Sequence, residues 1–249
     1  MRFPPSRLGL IAAIFFLSHN AAFGAAGEKA GFRPALVGNG PKSLVNLIDT
    51  KKLVDKGQGD GAVMFDVAIG ADATGSVLWT WCHASAESKA LKDEVQKELQ
   101  RSSFVPAMMD GNRVGVSFYG TVIFAVRGGH PYLRVFANQD RLELAQQSDF
   151  IGPQMLLGSS DWKEARPYLE VVKQHAKTGR AVLSFALDAD GKVRDLHLVR
   201  EEPTGLNIRA AALKTYATAK FIPAFRYGRP VACTFERDWA VRGFRYRRW

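Results

Sequence analysis

The side chains best suited to metal or nucleophilic chemistry in this chain of 249 residues are five histidines and two cysteines. They are His19, His83, His130, His175, His197, Cys82 and Cys233. Metal sites in proteins use such residues at short, regular spacings such as Cys-x-x-Cys, and no two of these residues have that spacing. Cys82 and His83 are adjacent, so on a strand their side chains point to opposite faces. The sequence therefore predicts no metal site and no cofactor.

Sequence motifs of nucleotide-binding and hydrolytic enzymes are also missing. The chain contains no Gly-x-Ser-x-Gly, no phosphate-binding loop and no dinucleotide fingerprint. Asp72, Asp188 and Asp190 lie in Asp/Gly turns, where a short carboxylate bonds the local backbone. We interpret all three as turn formers. We predict that the protein is not an enzyme and has no catalytic residues.

The first 24 residues have the layout of a cleaved export signal. Arg2 and Arg7 accompany an apolar run over residues 8–17, and Ala22-Phe23-Gly24 offers small residues at the cleavage positions. A membrane-spanning helix needs about 20 apolar residues, which is longer than this run. We predict cleavage after Gly24 and export, and an uncleaved inner-membrane anchor is the alternative.

The two cysteines could be oxidised, because an exported protein enters an oxidising compartment where disulfides form. Cys82 and Cys233 lie in different halves of the chain and could form a disulfide bond between them. The alternative is that each thiol is buried separately as a small hydrophobic side chain.

Basic and aromatic residues alternate at the C-terminus. Cations beside aromatic rings suit contact with an anionic surface. The candidate contacts are Arg242, Arg245, Arg247, Arg248 and Trp249. The alternative is a solvated strand end whose rings pack on the domain. The net charge of +10 fits an anionic partner, whereas export argues against nucleic acid.

The elements that must position these residues occur twice. Phe104-Val105-Pro106-Ala107, Gly111 and Val114 recur as Phe221-Ile222-Pro223-Ala224, Gly228 and Val231, each 117 residues further along the chain. An alternating apolar stretch ending in an Asp/Gly turn precedes each set. This order of signals predicts a duplicated domain.

Each half is predicted to fold as a small α+β domain with a roughly three-stranded antiparallel sheet and two helices. In the first half, a helix opens at Pro41, strands cover 63–69 and 77–82, a helix carries Leu91, Val95 and Leu99, and a strand covers 114–126. In the second half, helices over 162–176 and after 205 flank strands over 181–187 and 193–199, and a final strand begins near Val231.

The expected domain organisation follows from these elements. It comprises a signal peptide over 1–24, a flexible segment over 25–39, a first domain over 40–127, a linker over 128–157 and a second domain over 158–249 that includes the basic, aromatic tail.

The second half resembles the C-terminal domain of TonB-family energy transducers over about residues 160–243. The matching residues are Phe185, Leu187, Asp188, Asp190, Gly191, Val193, Thr204-Gly205-Leu206-Asn207, Ala210, Ala211, Ala212, Phe221, Pro223-Ala224, Gly228 and Pro230-Val231. The first half, over about residues 40–126, looks like a diverged copy that keeps Phe104, Pro106-Ala107 and Gly111.

The resemblance implies a periplasmic domain that binds an envelope protein or an outer-membrane receptor peptide by strand addition at its final strand. The implied partner-binding residues are Pro230, Val231, Cys233 and Phe235 in the second half, and Val114, Val116 and Phe118 in the first. The oligomeric state stays open.

Transducers of this family also carry an anchor with a Ser and a His four residues later, and a proline-rich spacer. Here Phe15 stands four residues before His19, and residues 127–158 are not proline-rich. The leading prediction is therefore a periplasmic binding or adaptor protein. One alternative is an anchored transducer component for outer-membrane transport. The other is an envelope structural protein that holds an anionic surface through its C-terminal tail.

Overall fold

The computed structural model describes residues 31–160, 178–202, 204, 205 and 208–242. These residues form an α+β fold in which short helices pack on antiparallel sheets, as the sequence predicted. Some predictions fall outside the described residues. They are the leader over 1–24, the helix over 162–176 and the basic, aromatic tail after Arg242.

The first half contains three α-helices, a short 3₁₀ helix (Ala86–Ser88) and five strands. The helices are α1 (Leu44–Leu47), α2 (Thr50–Asp55) and α3 (Lys89–Leu99). The strands are β1 (Gly61–Ile69), β2 (Val77–His83), β3 (Ala107–Met109), β4 (Asn112–Val114) and β5 (Val116–Arg127). The predicted hairpin strands and the helix with its buried stripe of Leu91, Val95 and Leu99 are confirmed. The helix predicted to open at Pro41 is two short helices, and the Asp49 side chain caps the second by accepting from the Lys52 N–H.

The remaining described chain contains two helices and eight strands. Between the halves lie β6 (His130–Phe136), α4 (Arg141–Gln146) and β7 (Gln154–Leu156). The second half contains β8 (Thr178–Leu187), β9 (Val193–Glu202), α5 (Ile208–Tyr216), β10 (Phe221–Ile222), β11 (Ala224–Arg226), β12 (Arg229–Val231) and β13 (Cys233–Arg242). The predicted strands after residues 181 and 193 and the helix after 205 are confirmed.

The strands form two main sheets. The larger has six strands in the order β10-β7-β5-β1-β2, with β6 also paired to β5. The smaller has three strands in the order β13-β8-β9. The segment over 128–157, expected to be a linker, supplies β6 and β7 to the larger sheet. Through β7, the second-half strand β10 joins the sheet of the first half, so the two halves share one hydrogen-bonded layer.

Two hydrophobic cores hold these layers. The core of the first half lies between the larger sheet and α3, and it also takes in Ile222 and Phe225 from the second half. The core of the second half is centred on the ring of Phe185. Burial of side chains from both halves in the first core opposes separation of the halves, because it would expose apolar surface to water.

The two halves turn their chains in the same way at a spacing of 117 residues. The hairpin β3–β4 corresponds to β11–β12, and the left-handed residues of the two turns correspond as well. These are Asp110 and Tyr227, both with φ of 50°, and Gly111 and Gly228, with φ of 78° and 70°.

An extended segment before each half forms an equivalent bridge to the hairpin of that half. Arg33 bridges Met108, and Ile151 bridges Phe225. Ala35 is buried, and its N–H and C=O bond the side-chain amide of Gln154 at 2.8 and 2.9 Å. Residues 33–36, expected to be part of a flexible segment, are therefore fixed to the body of the protein. Their backbone pairs with a strand distant in sequence, which local composition does not indicate.

An aspartate organises the hairpin turn of each half. The Asp72 carboxylate accepts hydrogen bonds from the hydroxyls and backbone N–H groups of Ser76 and Thr74. The Asp188 carboxylate accepts from the N–H groups of Asp190 and Lys192, each at 2.9 Å. The interpretation of both residues as turn formers is therefore confirmed.

These bonds predict acid sensitivity. Hydrogen bonds from Ser76 and Thr74 hold the pKa of Asp72 well below its usual range. Because the folded-state pKa lies below the unfolded value of about 3.9, the carboxylate stabilises the fold above that pH, and this contribution is lost as the pH falls further. We expect Asp72→Asn to be less stable than the wild type at neutral pH and to lose less stability on acidification. Urea unfolding at pH 7 and pH 3 measures this, and an equal loss in both proteins would contradict it.

Candidate functional site

The final strand, β13, lies at one end of the three-stranded sheet. Its ten residues pair with β8 from Cys233 opposite Leu187 to Arg242 opposite Thr178. Within the described residues, the other side of β13 has no ladder partner. We call this free side the β13 edge. An exposed row of backbone N–H and C=O groups of this kind is a template for pairing with another strand.

Side chains alternate between the two faces of β13. Phe235 faces the core, where its ring stacks on Phe185 at 5.0 Å and meets Phe221 edge-on at 5.7 Å. Thr234, Glu236 and Asp238 are exposed on the opposite face. The aromatic contacts therefore hold the strand in register, while the side chains of its polar face are exposed.

Arg237 is a charged residue at an inward-facing position of β13, where an apolar side chain is expected. Its Nε donates to the hydroxyl of Tyr216 at 3.0 Å, and its guanidinium lies 5.5 Å from the Tyr216 ring. The guanidinium also lies 4.6 Å from the ring of Tyr119, which belongs to β5 of the first half. Arg237 therefore connects the final strand to both halves by cation–π contacts.

Asp66 supplies the opposite charge. It lies on β1 next to Tyr119 and opposite Trp81 in the sheet, and it accepts from Nε2 of Gln139 at 3.0 Å. Burial raises the pKa of Asp66, and the positive charge of Arg237 opposes that rise. Burial likewise lowers the pKa of Arg237, opposed by Asp66. Each charge makes burial of the other less costly.

Two polar atoms in this cluster lack partners. Among the described residues, Nη1 of Arg237 and the hydroxyl of Tyr119 are buried without a hydrogen bond. We call Asp66, Tyr119, Tyr216 and Arg237 the buried arginine cluster. The sequence analysis did not find this cluster. Arg237 follows Cys233 and Phe235 at a spacing of two residues, so the alternation of the strand already placed a charged side chain on the inward face.

The exposed face of the sheet has its own ion pair. Nε and Nη2 of Arg180 on β8 donate to the two carboxylate oxygens of Asp238 at 2.8 and 2.6 Å. This contact raises the pKa of Arg180. Glu236 therefore contributes the acidic character of the exposed face of β13, while Asp238 is neutralised by its neighbour.

The residues expected to bind a partner lie on four strands, two in each half of the chain. Cys233 and Phe235 lie on β13, whereas Pro230 and Val231 lie on β12 and pair with β11 in a tight hairpin. The hairpin ends immediately before the β13 edge begins.

The first-half candidates do not form an equivalent edge. Val114 lies on β4, and Val116 and Phe118 lie on β5, an interior strand. β1 covers one side of β5, and β7 and then β6 pair with the other. Val116 and Phe118 are fully buried. The segment after the first half folds back and pairs with β5, so Val116 and Phe118 lie on an interior strand, whereas the equivalent side of β13 has no ladder partner among the described residues.

The two cysteines are free thiols in the structure, which fits the alternative in which each thiol is buried separately. Cys82 packs in the core of the first half and Cys233 against that of the second. Burial raises the pKa of each thiol to about 12. Since the thiolate is the reactive form, both are expected to be inert in the folded protein.

Of the predicted anionic-surface contacts, Arg242 ends β13, and Arg245, Arg247, Arg248 and Trp249 lie outside the described residues. In the part of the chain that the structure describes, no cluster of three or more His, Cys, Asp or Glu residues could hold a metal ion. No helix within the described ranges is long and apolar enough to cross a membrane.

The second half is an α+β domain built on an antiparallel sheet, and its final strand has a ladder partner on one side only among the described residues. Residues 164–240 match the family model for the Gram-negative bacterial TonB protein C-terminal. This stretch spans β8 to β12 and all but the last two residues of β13, so the second half of the chain is similar to the TonB C-terminal family over these residues. No curated protein and no solved structure matches the chain. Proteins of this family are associated with the cell envelope, and their C-terminal domains bind outer-membrane receptors or other envelope proteins.

Proposed function

We propose that the protein is a non-enzymatic periplasmic adaptor that binds an extended segment of an envelope protein by strand addition at the β13 edge. The carrying observation is a ten-residue strand that is bonded on one side to β8 and has no ladder partner on the other among the described residues. Backbone groups on such an edge supply affinity, and neighbouring side chains supply specificity. The family match over 164–240 supports an outer-membrane receptor peptide as the partner.

The charge on β13 suggests which peptide is preferred. An added strand places its own side chains beside the exposed Glu236, and opposite charges directly across two strands stabilise the pair. Asp238 already has Arg180 as its partner. A Lys or Arg in the partner strand beside Glu236 is therefore favoured over an acidic residue.

A tandem duplication is part of the proposal, with TonB C-terminal-like domains over about residues 40–127 and 158–249. The equivalent hairpin turns at an offset of 117 residues and the equivalent bridges that precede the two halves support it. The two domains differ in what pairs with their final strands. In the first domain β6 and β7 pair with β5, whereas in the second domain β13 has no such partner among the described residues. We therefore assign partner binding to the second domain. The first domain fixes the position of the second through the shared sheet and the buried arginine cluster.

The compartment and the alternatives rest on residues outside the described structure. A mature protein that begins near Ala25 and fractionates with the periplasm would support the adaptor. A full-length protein in the inner-membrane fraction would support the transducer alternative. Loss of envelope association on deletion of residues 242–249 would support the anionic-surface alternative.

Hydrogen exchange tests the binding mode directly. The probes are synthetic peptides that cover the N-terminal periplasmic segments of the outer-membrane receptors of the source bacterium. We expect a binding peptide to slow exchange at those amides of β13 that point away from β8, because each gains a hydrogen bond. The amides of β9, at the opposite end of the same sheet, are expected to keep their exchange rates.

Matched variants separate edge binding from general effects. Glu236→Arg is expected to weaken a basic peptide, whereas Glu202→Arg on β9 leaves its affinity unchanged. Protection confined to β9, or binding that is equally sensitive to both variants, would contradict the assignment to the β13 edge. Failure of every receptor peptide to bind would contradict the proposed partner class.

A further inference from the structure

The hairpin strand of the first half, β2, carries an unusual set of exposed apolar side chains at the end of the six-stranded sheet. Leu78, Trp79 and Trp81 are 60%, 46% and 36% exposed, and Met64 on the adjacent β1 is 39% exposed. Within the described residues, β2 has a ladder partner only on β1. We call this free side of Val77–His83 the β2 edge.

The corresponding strand of the second half shows how such an edge is normally protected. Charged residues blunt exposed strand edges by opposing the approach of another chain. Strand β9 carries Arg194, Asp195, Arg200, Glu201 and Glu202. The seven residues of β2 include no Lys, Arg, Asp, Glu or Pro. The edge strand of the second half, β9, is therefore protected by charge, whereas the equivalent strand of the first half, β2, is neutral and aromatic.

The sequence of β2 is complementary to itself. When two antiparallel copies place Thr80 opposite Thr80, each Trp79 lies opposite a Trp81, and both rings are on the same face of the joined sheet. Aromatic pairs directly across two strands stabilise a sheet. The register brings no charged residues of the two strands together, so the neutral edge suits the approach of two chains that each carry a net charge of +10.

We propose that the β2 edge is a homodimer interface, in which β2 of one chain pairs antiparallel with β2 of a second copy about a two-fold axis at Thr80. The two six-stranded sheets then form one continuous sheet, and each copy uses the same surface, as two-fold symmetry requires. The β13 edge belongs to the other sheet and stays available, so the dimer presents two partner-binding edges.

Sedimentation of the full mature chain tests the dimer. We expect wild type to be dimeric in the micromolar range and Leu78→Lys to weaken the dimer at least tenfold, because the ammonium must lose water at the interface. Leu78 is largely exposed, so the variant retains the fold. Val199→Lys on β9 is the matched control, since Val199 is 50% exposed at the equivalent edge, and it is expected to remain dimeric.

Disulfide trapping tests the register. Residues directly opposite in an antiparallel pair have Cα atoms about 4.5–5.5 Å apart, which a disulfide can span. Thr80→Cys is therefore expected to form a covalent dimer under mild oxidation. Val77→Cys lies far from its own copy in this register and is expected to stay monomeric on a denaturing gel. Wild type is expected to do the same, because Cys82 is buried and Cys233 is half-buried.

Three outcomes would overturn the proposal. They are a monomeric wild type across the micromolar to millimolar range, a dimer equally stable in Leu78→Lys, and trapping of Val77→Cys as readily as Thr80→Cys. Binding of a receptor peptide to the β13 edge is measured separately, so either result there leaves this test intact.

Discussion

Gly191→Ala is expected to lower the free energy of unfolding by about 3 kcal/mol, a loss that combines backbone strain with a steric clash. Gly191 has φ of 73°, which L-residues adopt only at a cost. A Cβ at this position would lie 2.2 Å from the carbonyl oxygen of Phe221 and 3.1 Å from its carbonyl carbon. The hairpin turn or the Phe221 backbone must therefore move, and Phe221 is part of the second core.

The control for this prediction is Gly205→Ala. Gly205 has φ of 85°, but nothing lies within 4 Å of the added Cβ. We expect Gly205→Ala to lower the free energy of unfolding by about 1 kcal/mol, because only the backbone conformation disfavours the added side chain. Urea unfolding with a shared m-value measures both. Equal losses would show that the contact between the turn and Phe221 is not rigid.

The same contact recurs in the first half. A Cβ on Gly75 would lie 2.2 Å from the carbonyl oxygen of Phe104, and Gly75 accepts a hydrogen bond from the Phe104 N–H at 3.2 Å. Packing of an Asp/Gly turn against the Phe-x-Pro-Ala backbone is thus common to both halves. This explains why both signals recur together in the sequence.

Arg237→Met is expected to lower the free energy of unfolding by about 2–3 kcal/mol, because it removes the Nε donor to the Tyr216 hydroxyl and the positive charge that opposes the cost of burying Asp66. It also removes the cation–π contacts with Tyr119 and Tyr216. Asp66→Asn in the Arg237→Met background is expected to recover part of the loss, since it neutralises the unpaired charge. A double-mutant cycle is then expected to give a coupling of about 2 kcal/mol between the two sites.

Arg180→Met provides the matched control, because Arg180 lies in the same sheet but pairs with the exposed Asp238. Exposed ion pairs contribute about 1 kcal/mol or less, so this variant is expected to be only slightly destabilised. A loss for Arg237→Met no larger than that for Arg180→Met would show that the buried arginine cluster does not hold the halves together. Near-zero coupling between Asp66 and Arg237 would lead to the same conclusion.

Short-range signals carried most of the successful predictions. The alternation of Val63, Phe65, Val67 and Ile69, with the spacing of Leu91, Val95 and Leu99, identified β1 and α3. These patterns report which face of a local element is buried, and burial is decided within a few residues. Cys233 and Phe235, which the sequence analysis selected, lie on β13, and their role in binding stays a prediction; the buried arginine cluster was not predicted.

The sequence by itself determined the α+β elements, the Asp/Gly turns and the 117-residue correspondence, because backbone geometry and side-chain periodicity are local properties. Only the tertiary structure decided that β6 and β7 cover β5, that residues 33–36 and Gln154 are bonded, and that Arg237 lies beside Tyr119. Each of these pairings joins segments far apart in the chain. Their free energy depends on desolvation and contact in three dimensions, which no window of the sequence contains.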